Sequence, residues 1–192
     1  MNVILASASP RRKELLSLIF RSFHVIPSEF DEDVLSHIAD PVEAVVKSSI
    51  GKAEDIAAKY PESMIIAADT VVVVDQEILG KPKDTEDAVR MLRLLNNRTH
   101  QVYTGIAVAK DGVLRSGYEC TDVTFRKLDE DIIARYIASG EPMDKAGAYA
   151  IQGIGAVLIR SINGCYSNVV GLPLYKLSTM LEEFGVIPLS SV

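Results

Sequence analysis

The chain has 192 residues, 48% of them hydrophobic and 24% charged, with a formal net charge of −6. Such a composition describes a soluble globular protein with enough residues for a sizeable core, and no apolar run reaches the length of a membrane span. The acidic balance excludes the broad basic surface that a nucleic-acid polymer or an anionic membrane requires, but not a small polyanion held by a few cations in one place.

In chain order, residues 3–6 (Val-Ile-Leu-Ala) predict a short buried strand, followed by the polar turn Ser7-Ala8-Ser9 and a helix over 10–20 with Leu15, Leu16, Leu18 and Ile19 inward. Ser9 suits the N-cap and Pro10 the first helical position, where a missing N–H costs nothing. Arg11, Arg12 and Lys13 then crowd the first turn, the end of a helix that already carries partial positive charge. Hydroxyls, free backbone N–H groups and guanidinium forks after a strand can cradle a phosphate; the same residues also fit a solvated basic turn. A short strand follows over 23–26, then an acidic loop over 28–33. Asp40-Pro41 caps a helix reaching about residue 60, with Val42, Val45, Val46, Ala53 and Ile56 as its apolar stripe.

Residues 64–68 predict an apolar strand, and 71–74 and 78–79 flank the polar turn Asp75-Gln76-Glu77 as a hairpin. Asp84 caps a helix to about 95. Strands over 102–109 and 113–125 are separated by Asp111-Gly112, a strong hairpin signal. Leu128-Asp129 opens a helix that ends near 139, with Gly140 as its stop. A glycine-rich loop over 147–155, a strand over 156–162, the turn Asn163-Gly164 and a last helix over 173–184 complete the chain. Helix and strand signals alternate with hairpins, which predicts an α/β fold with a mixed, twisted sheet flanked by helices. No linker interrupts it, so residues 1–192 read as one domain. Cys120 and Cys165 match no metal or redox spacing and read as reduced thiols, as in a reducing cytosol. The N-terminal apolar stretch, followed at once by Pro-Arg-Arg, is too short for a secretory signal.

Asp69 closes the apolar run Ile65-Ile66-Ala67-Ala68, and a second apolar run follows Thr70. A carboxylate there needs an ion partner, hydrogen bonds or a metal, and ligands of α/β sheets collect beyond the carboxyl ends of strands; an Asx turn is the structural alternative. In Gly80-Lys81-Pro82-Lys83-Asp84, Gly, Pro and Asp84 suit a turn before a capped helix, whereas Lys81 is left for a phosphate. Glu29, Asp31, Glu32 and Asp33 either offer oxygen ligands to Mg²⁺ or Mn²⁺ or are solvated loop charges. Lys52, inside the long helix, reads by itself as a surface lysine. His24, His37 and His100 form no metal or nucleophile–base pattern and read as structural or surface residues.

With these pieces the chain resembles the Maf family of nucleoside triphosphate pyrophosphatases. The matching motifs are Leu5-Ala6-Ser7-Ala8-Ser9-Pro10-Arg11-Arg12, Ala68-Asp69-Thr70, Gly80-Lys81-Pro82, Tyr103-Thr104-Gly105, Asp144-Lys145-Ala146-Gly147-Ala148-Tyr149-Ala150-Ile151-Gln152-Gly153 and Val170-Gly171-Leu172-Pro173-Leu174, in order over about residues 3–181. The resemblance implies an elongated fold related to inosine triphosphate pyrophosphatases, with two lobes around a central cleft. It implies cleavage between the α and β phosphates, a divalent cation (Mg²⁺ or Mn²⁺) and a cytoplasmic setting, and it is compatible with a homodimer. Carried over by position, Asp69 is the proton acceptor and, with Glu32, a metal-site carboxylate, while Ser7, Arg12, Lys52 and Lys81 bind phosphate. Arg11, Thr70 and Gln152 match the branch acting on dTTP and UTP; an aromatic residue, Gln and Glu stand at those places in the branch acting on 7-methyl-GTP. The amide of Gln152 can donate to a carbonyl of uracil or thymine and accept from its N–H. The resemblance also leaves two rivals: a pyrophosphatase for other, non-canonical nucleotides, and a nucleotide-sensing regulator of septum formation.

Overall fold

Strand β1 (Val3–Leu5) forms where every residue is apolar, and all three are buried. It lies between two parallel neighbours, β2 (His24–Val25) and β3 (Met64–Val74), with Ile4 opposite both His24 and Ile65. This is the computed structural model of the chain, and it describes residues 1–187. Helix α1 (Pro10–Ser17) follows β1 as the capping residues predict: the Ser9 side chain accepts the Arg12 N–H, and Pro10 opens the helix. The helix is shorter than the sequence suggests. Only Leu15 and Leu16 are buried, while Leu18 is 63% exposed and contributes nothing to the core.

Helix α2 (Pro41–Lys59) is capped by Asp40, whose carboxylate accepts the Val42 N–H. Its buried face is Val45, Ser48, Ser49, Lys52, Ala53 and Ile56, a 3.6-residue stripe. Val42 and Val46 are only half-buried at its margin. Strand β3 turns into β4 (Glu77–Leu79) through Asp75 and Gln76, both at positive φ, pairing Val72 with Leu79. Asp84 caps α3 (Thr85–Leu95) and Asp129 caps α4 (Glu130–Ala138), each by accepting an N–H three residues on. The Asp111-Gly112 turn joins β5 (Thr99–Lys110) to β6 (Val113–Phe125). A 3-10 stretch, Gly153–Leu158, takes the first half of the strand expected over 156–162, so β7 is Ile159–Asn163. The short helix α5 (Tyr166–Val170) has no counterpart in the sequence reading, and α6 is Leu174–Glu183.

Seven strands hydrogen-bond in the order β2-β1-β3-β5-β6-β7, with β4 beside β3. The β1 pairings are parallel, whereas β3–β4 and β6–β7 are antiparallel, so the sheet is mixed as expected. The chain divides into two compact units. Among the described residues, the first comprises Met1–Asp69, Thr104–Glu119 and residues 171–187; the second comprises Thr70–Tyr103 and Cys120–Val170. In the first, Ile4, Ala6, Ile65 and Ala67 pack with Ala53 and Ile56 of α2 and with Ala107 and Ala109 of β5. In the second, Leu92 and Leu95 of α3 and Ile133 and Tyr136 of α4 pack with Val123, Phe125 and Tyr149.

His100 is fully buried in the second unit, edge-on to the rings of Phe125 and Tyr149, with Nε2 2.7 Å from the Tyr149 hydroxyl. Burial pushes its pKa from 6.5 down to about 4. The unfolded chain takes up this proton at higher pH than the folded one, so the contribution is complete above pH 6.5 and lost as pH falls toward 4. At ~1.4 kcal/mol per pH unit it amounts to ~3 kcal/mol. The urea midpoint of the wild type should therefore fall across this window more steeply than that of His100→Gln; equal slopes would contradict it.

Candidate active site

Asp69 lies inside β3, not at the end of a strand: the eleven residues Met64–Val74 run on through it without a break. The parallel partner β1 stops at Leu5, opposite Ile66, so Asp69 does lie beyond the carboxyl end of its parallel neighbour. No Asx turn uses its side chain. Its Oδ1 instead accepts Lys52 Nζ at 2.8 Å, which is how an apolar run can carry a carboxylate and continue as a strand.

Lys52 is the larger departure from the sequence reading. It is 8% exposed, on the inner face of α2. Its ammonium lies 2.8 Å from Asp69 and 3.0 Å from Oε1 of Glu32. Glu32 begins the 3-10 turn Glu32–Leu35, capped by Asp31, so the acidic loop is only partly irregular. Two anchors hold that loop on α2. The Asp55 carboxylate accepts the Glu29 N–H and the Ser28 hydroxyl, both at 2.8 Å, which with the Lys59 ion pair keeps its carboxyl below the ordinary value. The Phe30 ring covers Gly51 so closely that a Cβ there would stand 2.4 Å from it. The sequence reading names neither anchor; the i, i+4 pair of Asp55 and Lys59 is the one visible sign of them.

The polar turn after β1 completes the group. The Ser7 hydroxyl, nearly buried, accepts the Ser9 N–H at 3.2 Å and Arg12 Nη1 at 3.3 Å. Arg12 Nε donates to the Gly171 carbonyl at 2.8 Å. Burial pushes the guanidinium below its ordinary value; Asp69 and Glu32 hold it up, and Arg11 pushes it down. Arginine stays protonated regardless, so Arg12 and Lys52 set two cations beside the carboxylates of Asp69 and Glu32.

Ser7, Arg11, Arg12, Glu32, Lys52 and Asp69 all belong to the first unit, whereas Thr70, Lys81 and Gln152 belong to the second. Thr70 is half-buried in β3. Lys81 is exposed between Gly80 and the buried Pro82, and the Gly80 carbonyl accepts the Gly147 N–H at 3.0 Å. Gln152 is half-buried just before the Gly153–Leu158 turn. Among the described residues no cluster of three or more His, Cys, Asp or Glu could hold a metal. Two convergent carboxylates, Glu32 and Asp69, suit Mg²⁺ or Mn²⁺, which keeps water and substrate oxygens for its other positions.

The family model of Maf-like proteins matches residues 2–184. The chain belongs to the Maf family. Among its curated relatives, the "dTTP/UTP pyrophosphatase" of Clostridium botulinum strain Eklund 17B is 51% identical over 187 residues, covering 95% of this chain and 99% of that one. The protein of the same name from Carboxydothermus hydrogenoformans is 49% identical, covering 96% and 100%. Of solved structures, a HAM1 protein from Coxiella burnetii superposes with a TM-score of 0.54 at 15% identity, covering 95% of this chain and 99% of that one. The Maf chain and that protein share a fold. No helix among the described residues is long and apolar enough to cross a membrane.

Proposed function

We propose that this Maf protein hydrolyses dTTP and UTP to the nucleoside monophosphate and pyrophosphate in the cytoplasm. The observation that carries the reading is the buried Lys52 ammonium drawing Asp69 and Glu32 together beside Arg12 and Ser7. Relatives about half identical over nearly their whole length, named for the same two nucleotides, support the choice of base.

Asp69 orients a water molecule and takes its proton as the oxygen attacks the α-phosphorus. The bond between the α-phosphorus and the oxygen it shares with the β-phosphorus breaks, and that oxygen leaves on pyrophosphate with the bonding electrons. Lys52 donates a hydrogen bond to Asp69 and forms an ion pair with Glu32, and its ammonium charge faces the phosphate oxygens of the substrate. Arg12, fixed through Nε on Gly171, and Lys81 stabilise the charge that develops on the leaving group; positioning and electrostatics supply most of the acceleration in such transfers. When a divalent cation is bound, Glu32 and Asp69 are the residues that hold it, and it supplies charge neutralisation on the phosphates. Arg11, Thr70 and Gln152 select the base, Gln152 by pairing its amide with the uracil or thymine edge.

The test is a panel of ordinary and modified nucleoside triphosphates with Mg²⁺ or Mn²⁺, the products resolved by chromatography. Monophosphate and pyrophosphate from dTTP and UTP are expected. Release of orthophosphate would overturn the bond assignment, and preference for another base would overturn the roles of Arg11, Thr70 and Gln152.

A further inference from the structure

Past the end of α4, Gly140, with a φ of 75°, turns the chain into the 3-10 segment Glu141–Asp144. The Glu141 carboxylate reaches forward along the sequence. Its Oε2 accepts the backbone N–H of Ile154 at 3.0 Å; its Oε1 accepts that of Gly155 at 2.8 Å and the Tyr136 hydroxyl at 3.0 Å. The Tyr136 oxygen in turn accepts the backbone N–H of Ala150 at 3.1 Å. Main-chain donors are thus held on both sides of residues 151–153, and Gln152 is the central residue of that span.

Two glycines make room for this clasp. A Cβ at Gly153 would stand 2.4 Å from Glu141 Oε2, and one at Gly155 would stand 2.5 Å from the Tyr136 hydroxyl and 3.0 Å from Glu141 Oε1. Hydrogen bonds to an ionised acceptor are about twice as strong as neutral ones, and an amide side chain reads a base edge only from a fixed origin. Tyr136 is 5% exposed; its ring packs in the core of the second unit, while its hydroxyl serves the loop.

We propose that Glu141 and Tyr136 are positioning residues for base selection, holding residues 150–155 so that the Gln152 amide meets the pyrimidine edge in one orientation. This rests on the reading of Gln152 as the residue that recognises the base. A site that hydrogen-bonds its substrate rejects analogues by leaving its own polar groups unpaired, and that rejection weakens once the amide can swing to other partners.

The test measures kcat/KM for dTTP, UTP, CTP and GTP in Gln152→Ala, Glu141→Gln, Tyr136→Phe and the double variant Gln152→Ala/Glu141→Gln. Tyr136→Phe keeps the buried ring and is the milder change should Glu141→Gln fold poorly. The ratio of dTTP to GTP should fall ~10-fold in each positioning variant, with kcat on dTTP within about threefold of the wild type, while the double variant should fall no further than Gln152→Ala alone. If Gln152→Ala shifts the ratio and the folded positioning variants do not, the clasp has no such role. The clasp is equally ruled out if they slow all four nucleotides alike or add their full effect to Gln152→Ala. If Gln152→Ala itself leaves the ratio unchanged, the reading of Gln152 falls and this inference with it.

Discussion

Asp69→Asn should fold as the wild type does and lose turnover by at least ~10²-fold, the low end for removal of a positioned base. Asparagine matches aspartate in shape, and its Oδ1 can still accept Lys52 Nζ, now 2.8 Å away. What is lost is the charge and the capacity to hold a proton. Lys52 keeps Glu32 at 3.0 Å, so the buried ammonium is not left unpaired and the fold tolerates the change. The loss should fall on kcat more than on KM, because the phosphate-binding cations remain. The check is pyrophosphate release at saturating dTTP alongside a thermal melt. A folded Asp69→Asn protein within about threefold of wild-type turnover would remove Asp69 from the reaction.

Gly105→Ala should destabilise by at least ~3 kcal/mol, in the range reserved for severe overpacking. Strand β5 crosses α2 here with no side chain between them: a Cβ would stand 2.1 Å from the Val45 carbonyl oxygen and 2.3 Å from its carbon. Val45 is fully buried, and a helix carbonyl cannot rotate away as a side chain can. At about 2–4 °C per kcal/mol for a chain of this size, the melting temperature should drop by roughly 6–12 °C. Because Lys52 lies seven residues beyond Val45 on the same buried face, the shift should also reach the ammonium and lower kcat well below the new melting point. A melting temperature within ~2 °C of the wild type would mean that the two backbones can part without cost.

Local chemistry made much of this fold legible. Ser9-Pro10, Asp40-Pro41, Asp84 and Asp129 start helices where caps belong, and Asp111-Gly112 closes its hairpin. For the site residues, the decisive partner is distant in sequence. Asp69 looks like a strand end because nothing nearby shows the ammonium that compensates it. Lys52 looks like a surface residue, although it falls on the stripe of Val45, Ser48, Ser49 and Ile56; its charge outweighed its position. Glu141 has no part in the sequence reading, because the N–H groups it holds lie thirteen and fourteen residues on, at the end of the glycine-rich loop. Helix α5 is five residues long, too short for periodicity to register.

Helix α2 meets β5 main chain to main chain at Gly105, against the Val45 carbonyl. Side-chain volume can be traded between neighbours when a core drifts in sequence, but a contact made by backbone has no volume to trade. The Clostridium botulinum relative differs from this chain at nearly half of the aligned positions. An ammonium mounted on a helix gauged in this way can keep its distance from Asp69 and Glu32 while the apolar packing around it changes, so the exchange of residues in the core and the geometry of the charges are decoupled.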